Sequence, residues 1–117
     1  LFTLQEIADL GVRIAIDDFG TGFSSLNHLR QMPAPIVKLD RSYTSCLGVG
    51  TRTTAILEAL VSLTAALGQV LVAEGIDEQH QLDEVRAAGV TQGQGFFLGR
   101  PVPEAECFST AANTVPF

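Results

Sequence analysis

The chain has 117 residues, which is enough for one domain or for part of one. Apolar residues make up 46% of it and charged residues 17%, a balance that supports a hydrophobic core and argues against disorder. The net charge is −6 with only seven lysines and arginines, so the chain lacks the basic stripe by which proteins bind a nucleic-acid polymer. A small phosphate ester is compatible with this charge if metal ions offset the acidic residues.

The two cysteines, Cys46 and Cys107, lie far apart in the sequence and belong to no Cys-x-x-Cys pair. This usage is typical of free thiols in a reducing compartment and argues against zinc. No apolar run reaches membrane-spanning length, and no basic leader precedes an apolar stretch at the start. We therefore expect a soluble cytoplasmic unit, with any membrane anchor of the parent protein in sequence outside these residues.

The predicted elements alternate between helices and strands along the chain. A helix over residues 1–10 ends at Gly11 and leads into a first strand over 12–17. Ser24 or Ser25 then caps a second helix, which Pro33 and Pro35 terminate. Further helices are predicted over 51–67, 77–88 and about 103–112, and further strands over 36–40, 70–74 and, in a glycine-rich segment, 90–97.

The helix over residues 51–67 carries the longest apolar pattern. Its inward stripe is predicted as Ile56, Leu60, Leu63 and Leu67, reinforced by Leu57 and Val61. The helix over 77–88, capped by Asp77 or a neighbour, is expected to turn Leu82 and Val85 inward. Both helices can therefore cover one face of a sheet.

Polar residues stand at the end of each predicted strand. They are Asp17 and Asp18 after the first, Lys38 and Asp40 in the second, Glu74 in the third and Gln94 in the last. Repeated strand and helix units favour a parallel sheet, and working residues of an α/β barrel come from the carboxyl ends of its strands. Four units are half of an eight-stranded barrel, so the predicted fold class is α/β, with half of a (β/α)8 TIM-like barrel.

Two of these polar features leave alternatives open. Asp17 and Asp18 precede two glycines, so they form either a polar turn or an oxygen site for Mg²⁺ or Mn²⁺. Lys38 lies in an apolar strand, where it is either ion-paired or aimed at a reacting phosphate. On spacing alone, the ion-paired interpretation of Lys38 is favoured.

Four ordered segments resemble the EAL-domain cyclic di-GMP phosphodiesterases. They read Asp-Asp-Phe-Gly-Thr-Gly-Phe-Ser-Ser-Leu at 17–26, Lys-Leu-Asp at 38–40, Ala-Glu-Gly-Ile-Asp at 73–77 and Gln-Gly-Phe-Phe-Leu-Gly-Arg-Pro at 94–101. The resemblance covers nearly the whole chain but only the C-terminal half of the family's domain. It implies a partial EAL domain over residues 1–117, a modified (β/α)8 barrel, and hydrolysis of cyclic di-GMP to linear pGpG with two Mg²⁺ or Mn²⁺ ions.

The resemblance also implies roles for individual residues. Asp17 would bridge both metals, Asp18 would hold the second, and Glu74 would be a second-metal ligand or the general base. Lys38 would contact the attacking water or the phosphate, and Gln94 would support the Glu74 side of the site.

Two further residues would support the site, and the chain departs from the family pattern at one of them. Asp40 would be a nearby polar support. Asp77 replaces a glutamate, so we expect a shorter reach toward the loop that the glutamate contacts. Thr91 stands where the family usually has aspartate, which removes a contribution expected there.

The Glu-Ala-Leu motif that names the family is missing ahead of the four matched segments, and the Glu-Ala-Leu tripeptide at 58–60 lies instead within the helix predicted over 51–67. The asparagine and glutamate that complete the first metal's shell in the family are missing too. We therefore expect the isolated chain to be inactive or nearly so, with its parent a phosphodiesterase. The alternative is a non-catalytic cyclic di-GMP receptor or interaction module from a truncated or degenerate domain. A half-barrel exposes its sheet edges, so we expect a homodimer or other self-association, and a longer parent would carry a sensor or GGDEF domain.

Overall fold

A computed structural model describes residues 2–22, 25–48 and 51–112. Six helices and four strands lie within these ranges. In chain order they are α1 (Phe2–Asp9), β1 (Ala15–Phe19), α2 (Leu26–Gln31), β2 (Ile36–Leu39), α3 (Arg41–Ser45), α4 (Thr51–Ala66), β3 (Val70–Ala73), α5 (Gln79–Ala87), β4 (Gln92–Gly93) and α6 (Glu104–Ala112). The alternation of strands and helices confirms the predicted α/β class.

The four strands form one parallel sheet in the order β1-β2-β3-β4. Strand β2 pairs with β3 without interruption, from Ile36 opposite Val70 to Leu39 opposite Ala73. Because all strands run the same way, their carboxyl ends meet at a single edge of the sheet. This edge is where the sequence places its polar residues.

The hydrophobic core lies between one face of the sheet and the helices. Alternate strand residues point into it, so Val37 and Leu39 of β2 are buried while Ile36 and Lys38 are only half-buried. The helices contribute Leu29, Leu57, Leu82 and Val85, which confirms the inward face predicted for α5. The opposite face of β2 carries Lys38 toward the strand-end edge.

The helix α4 differs from its prediction in which residues it buries. Leu57 is 2% exposed, whereas Ile56 is 47% exposed and Leu67 also faces solvent. The stripe prediction is therefore wrong for Ile56 and Leu67. The buried residues of the helix are Leu57 and Thr64. The predicted stripe members Leu60, Val61 and Leu63 are partly buried and pack against the core, as expected.

Several boundaries also differ from the sequence-based expectation. Strand β1 begins at Ala15 and extends to Phe19, later than the predicted 12–17, and β4 has only two residues of the predicted 90–97. The short helix α3 was not predicted, because its five residues carry no apolar repeat. Ser25 caps α2, while the alternative cap Ser24 lies outside the described residues.

None of the helices in the described ranges combines the length and hydrophobicity needed to cross a bilayer.

The adjacent residues Leu57 and Ile56 offer a matched test of core packing. We expect Leu57→Ala to lower the free energy of unfolding by about 3 kcal/mol, because it leaves a cavity in the core. Ile56→Ala, at an exposed position of the same helix, should cost less than about 1 kcal/mol. Chemical denaturation of both variants measures the difference, and equal losses would contradict the described orientation of α4.

Candidate functional site

An irregularity in the pairing of β1 positions the first two site residues. Ile16 pairs with Val37 and Phe19 pairs with Leu39, so Asp17 and Asp18 together stand opposite the single residue Lys38. This extra residue is a β-bulge, a device that redirects side chains next to binding sites. The bulge places both carboxylates beside the same lysine.

The backbone at Asp18 is left-handed, with φ of 52°, which is uncommon for a residue other than glycine. Local hydrogen bonds support it, since the Asp18 amide donates to Asp17 Oδ1 at 2.9 Å and Thr21 Oγ1 donates to the Asp18 carbonyl at 2.8 Å. Gly20 follows with φ of 100° and lies against the ring of Tyr43, which leaves no room for a Cβ atom. The glycine is therefore required by both conformation and space.

Asp17, Asp18 and Glu74 form a cluster in which one carboxylate oxygen from each residue lies within 4.8 Å of the other two. The Glu74 side chain is 17% exposed and that of Asp17 is 60% exposed, so the cluster is open to solvent on one side. Three carboxylates at this spacing are a hard oxygen donor set, which is what Mg²⁺ and Mn²⁺ prefer. The residues present therefore fit a divalent metal.

Lys38 is ion-paired within this cluster. Its Nζ atom lies 2.7 Å from Glu74 Oε1 and 3.6 Å from Asp17 Oδ1. The hydrogen bond from Lys38 to Glu74 raises the pKa of the lysine above its usual value near 10.5, against the opposing effect of burial. The ion-paired interpretation of Lys38 thus describes its contacts. Its position beside the carboxylate cluster leaves the phosphate-facing role open.

Asp40 lies at the end of β2 and caps α3. Its carboxylate accepts a hydrogen bond from the Ser42 amide at 2.9 Å. Hydrogen bonds from Ser42 hold the pKa of Asp40 below its ordinary value. Asp40 is therefore engaged in shaping the start of α3.

Asp77 and Gln94 lie on the two loops that follow β3 and β4. Asp77 Oδ1 accepts a hydrogen bond from the Phe96 amide at 3.1 Å, and its Oδ2 lies 3.5 Å from the Arg41 guanidinium. The Gln94 amide donates to the Ala73 carbonyl at 2.8 Å, so Gln94 is fixed by its backbone directly beside Glu74. The Asp77 carboxylate thus contacts the loop that follows β4.

A cleft of about 310 Å³ opens at this edge of the sheet. Five of the seven predicted site residues line it, namely Asp18, Asp40, Glu74, Asp77 and Gln94. Asp17 and Lys38 join it through their contacts in the carboxylate cluster. Thr91 instead precedes β4, at the opposite end of that strand, and lies in a separate cleft with Gln69 and Val90.

Two cleft residues, Arg41 and Phe96, were not predicted as part of the site. Arg41 follows Asp40 directly, and Phe96 belongs to the last of the four ordered segments. Adjacency to predicted residues was the available signal for both. The Arg100 guanidinium lies 4.5 Å above the Phe96 ring, a cation–π contact.

The family model described as EAL domain matches residues 2–101. Among curated relatives, the bifunctional diguanylate cyclase/cyclic di-GMP phosphodiesterase MucR of Pseudomonas aeruginosa is 38% identical over 112 residues. This match covers 96% of the chain but only 16% of MucR. The chain therefore spans about one sixth of the length of MucR.

Solved structures also match this chain over part of their own length. The EAL domain of Mycobacterium smegmatis DcpA superposes with a TM-score of 0.88 at 36% identity, covering 97% of this chain and 52% of that one. The manganese/cy-diGMP complex of Klebsiella pneumoniae BlrP1 superposes with a TM-score of 0.80 at 29% identity, covering 86% of this chain and 26% of that one. The predicted half of a TIM-like barrel is confirmed by these superpositions.

Lys38 is the only lysine in the chain, so its titration can be followed by NMR without overlap. We expect a pKa above 10.5 because the charged form is hydrogen-bonded to Glu74. A raised pKa in the folded state means that the stabilisation by Lys38 is complete below pH 10.5 and is lost as the pH rises through the folded pKa.

Glu74→Gln should bring the lysine pKa back toward 10.5. Asp40→Asn is the matched control, since it removes a strand-end carboxylate that makes no ion pair with Lys38. A wild-type value at or below 10.5, or an equal change in both variants, would contradict the described pairing.

Proposed function

This chain belongs to the EAL domain family, and on that basis we propose that it is the C-terminal half of a cyclic di-GMP phosphodiesterase domain. The reaction would open the cyclic dinucleotide to linear pGpG. The observation that carries this proposal is the convergence of Asp17, Asp18 and Glu74, from two different strand ends, around the single ammonium group of Lys38. Residues 1–117 would then be one partial domain.

The three carboxylates would hold Mg²⁺ or Mn²⁺, with Asp17 shared between two ions, Asp18 on the second, and Glu74 as second-metal ligand or general base. Support comes from their hard oxygen atoms within 4.8 Å of one another and from the manganese complex of the BlrP1 relative. When bound, such ions lower the pKa of a coordinated water and offset the charge that develops on the phosphoryl oxygens.

The remaining site residues would bind and orient the phosphodiester. Lys38, between Asp17 and Glu74, would face the phosphate or the attacking water with its positive charge. Gln94 would support the Glu74 side, because its backbone is bonded to the strand that ends at Glu74. Asp40 and Asp77 would act as polar supports through their hydrogen bonds to Ser42 and Phe96.

A second candidate is a cyclic di-GMP receptor without turnover. It is favoured by the composition of the carboxylate cluster, which in the described residues contains three acidic side chains. Within the described ranges Asp17 would be the one ligand for the first metal, so two-metal occupancy should be weak. Binding of the dinucleotide without hydrolysis distinguishes this function from the enzymatic one.

The parent protein would be longer than this chain and would carry a sensor or GGDEF domain. Support comes from MucR, whose name joins a diguanylate cyclase with a cyclic di-GMP phosphodiesterase and of which this chain matches 16%. A reducing, cytoplasmic location would suit the free thiols of Cys46 and Cys107, which are both exposed.

The function is tested by assaying the chain with cyclic di-GMP and Mn²⁺ and separating cyclic from linear product. We expect dinucleotide binding that depends on the metal. Turnover should stay at or near the level of the protein-free control, because Asp17 alone would not hold the first metal tightly. Asp17→Asn should abolish the metal-dependent binding, since it removes the proposed bridging carboxylate.

Turnover that disappears in Asp17→Asn would show that the chain assembles a working site, and would overturn the predicted inactivity. The absence of both binding and turnover in the wild-type chain would overturn the proposed function itself. Supplying the N-terminal half of the DcpA EAL domain in trans provides a further arm, in which recovered hydrolysis supports the phosphodiesterase over the receptor.

We also propose that the chain self-associates through its sheet edges. In the described sheet β1 and β4 each have one paired side only, and the exposed apolar residues Leu10 and Val12 precede the β1 edge. Sedimentation equilibrium should show a concentration-dependent dimer, and Val12→Lys should weaken it by placing a charge beside the edge. A compact monomer at all concentrations would argue against this association.

A further inference from the structure

The loops that follow β3 and β4 are joined by their backbones. The Ile76 amide donates to the Gln94 carbonyl at 3.0 Å, and the Phe97 amide donates to the Ile76 carbonyl at 3.1 Å. Gly95 lies against the Ile76 backbone so closely that a Cβ atom there would collide with it. Between these bonded positions, the Phe96 amide has a different acceptor, which is the side chain of Asp77.

Asp77 is itself held on two sides. Its backbone amide donates to Gln81 Oε1 at 2.8 Å, which fixes it to the first turn of α5. Its second carboxylate oxygen pairs with Arg41 at 3.5 Å, and Arg41 packs against Gly75, where a Cβ atom would lie 2.6 Å from the Arg41 Cβ. One carboxylate therefore connects the segments that follow β2, β3 and β4.

The Asp77 carboxylate is not a member of the metal-binding cluster, which in the described residues consists of Asp17, Asp18 and Glu74. It nevertheless lines the same cleft as Glu74, Gln94 and Phe96. Its contacts are with a loop amide and with Arg41, and both contacts fix the position of other cleft residues.

We infer that Asp77, steadied by Arg41, is a positioning residue that fixes the Gln94–Phe96 segment next to Glu74 and so sets the affinity of the cleft for its dinucleotide. The effect on affinity rests on the proposed function, whereas the effect on the segment does not. The hydrogen bond to Phe96 carries most of the effect, because a charged acceptor strengthens it. The Arg41 pair contributes less, since the Arg41 side chain is 73% exposed.

The first measurement is amide exchange at Phe96, followed by NMR in the 117-residue chain. Asp77→Ala should accelerate exchange about tenfold, the size expected for losing one charge-assisted hydrogen bond. Asp77→Asn keeps an oxygen acceptor, so exchange should stay within about threefold of wild type, and Arg41→Met should behave similarly.

The matched control is Asp83→Ala, which removes another exposed carboxylate, hydrogen-bonded to Gln79 within α5 and outside the cleft. Exchange at Phe96 should not change in this variant. Unchanged exchange in Asp77→Ala, or an equal acceleration in Asp83→Ala, would overturn the positioning role whatever the chain binds.

The second measurement is the dissociation constant for cyclic di-GMP with Mn²⁺. Asp77→Ala should weaken binding about three- to tenfold, with affinity restored in Asp77→Asn, in parallel with the exchange rates. Faster exchange without weaker binding would overturn the link to affinity. A wild-type chain that does not bind the dinucleotide would overturn the proposed function, and the exchange rates would still decide whether Asp77 positions the segment.

Discussion

Electrostatic repulsion at one edge of the sheet is the constraint on which the site depends. Three carboxylates have oxygen atoms within 4.8 Å of one another, and leaving all of them ionised costs free energy unless positive charge lies close by. Lys38 provides one such charge, 2.7 Å from Glu74 and 3.6 Å from Asp17. One ammonium group cannot balance three carboxylates, so the cluster retains a net negative charge that suits a divalent cation.

The fold brings these charges together through an extra residue in β1. Because Asp17 and Asp18 stand together opposite Lys38, the bulge lets one short strand contribute two carboxylates to the same edge. A regular strand would have turned them to opposite faces of the sheet. The left-handed backbone at Asp18 is part of this arrangement, and backbone strain of this kind is typical of functional sites.

Much of this architecture could be predicted from the sequence, because short apolar segments that each end in a polar residue alternate regularly with helices. The parallel sheet, the inward face of α5 and the gathering of Asp18, Glu74 and Gln94 at one cleft followed from that pattern. Local periodicity could not decide which of the adjacent residues Ile56 and Leu57 is buried. That choice depends on how α4 is rotated about its axis against the sheet. The contact between Arg41 and Asp77 joins residues far apart in the chain, so only the fold reveals it.

The packing of Tyr43 against Gly20 has a consequence for how related sequences can diverge. The aromatic ring fills the space that any side chain at position 20 would need, and the positive φ of Gly20 independently excludes most other residues. A smaller residue at position 43 would relieve the first restriction but not the second. Position 20 therefore stays glycine whichever residue stands at position 43, so covariation statistics would miss a pair that is in direct contact.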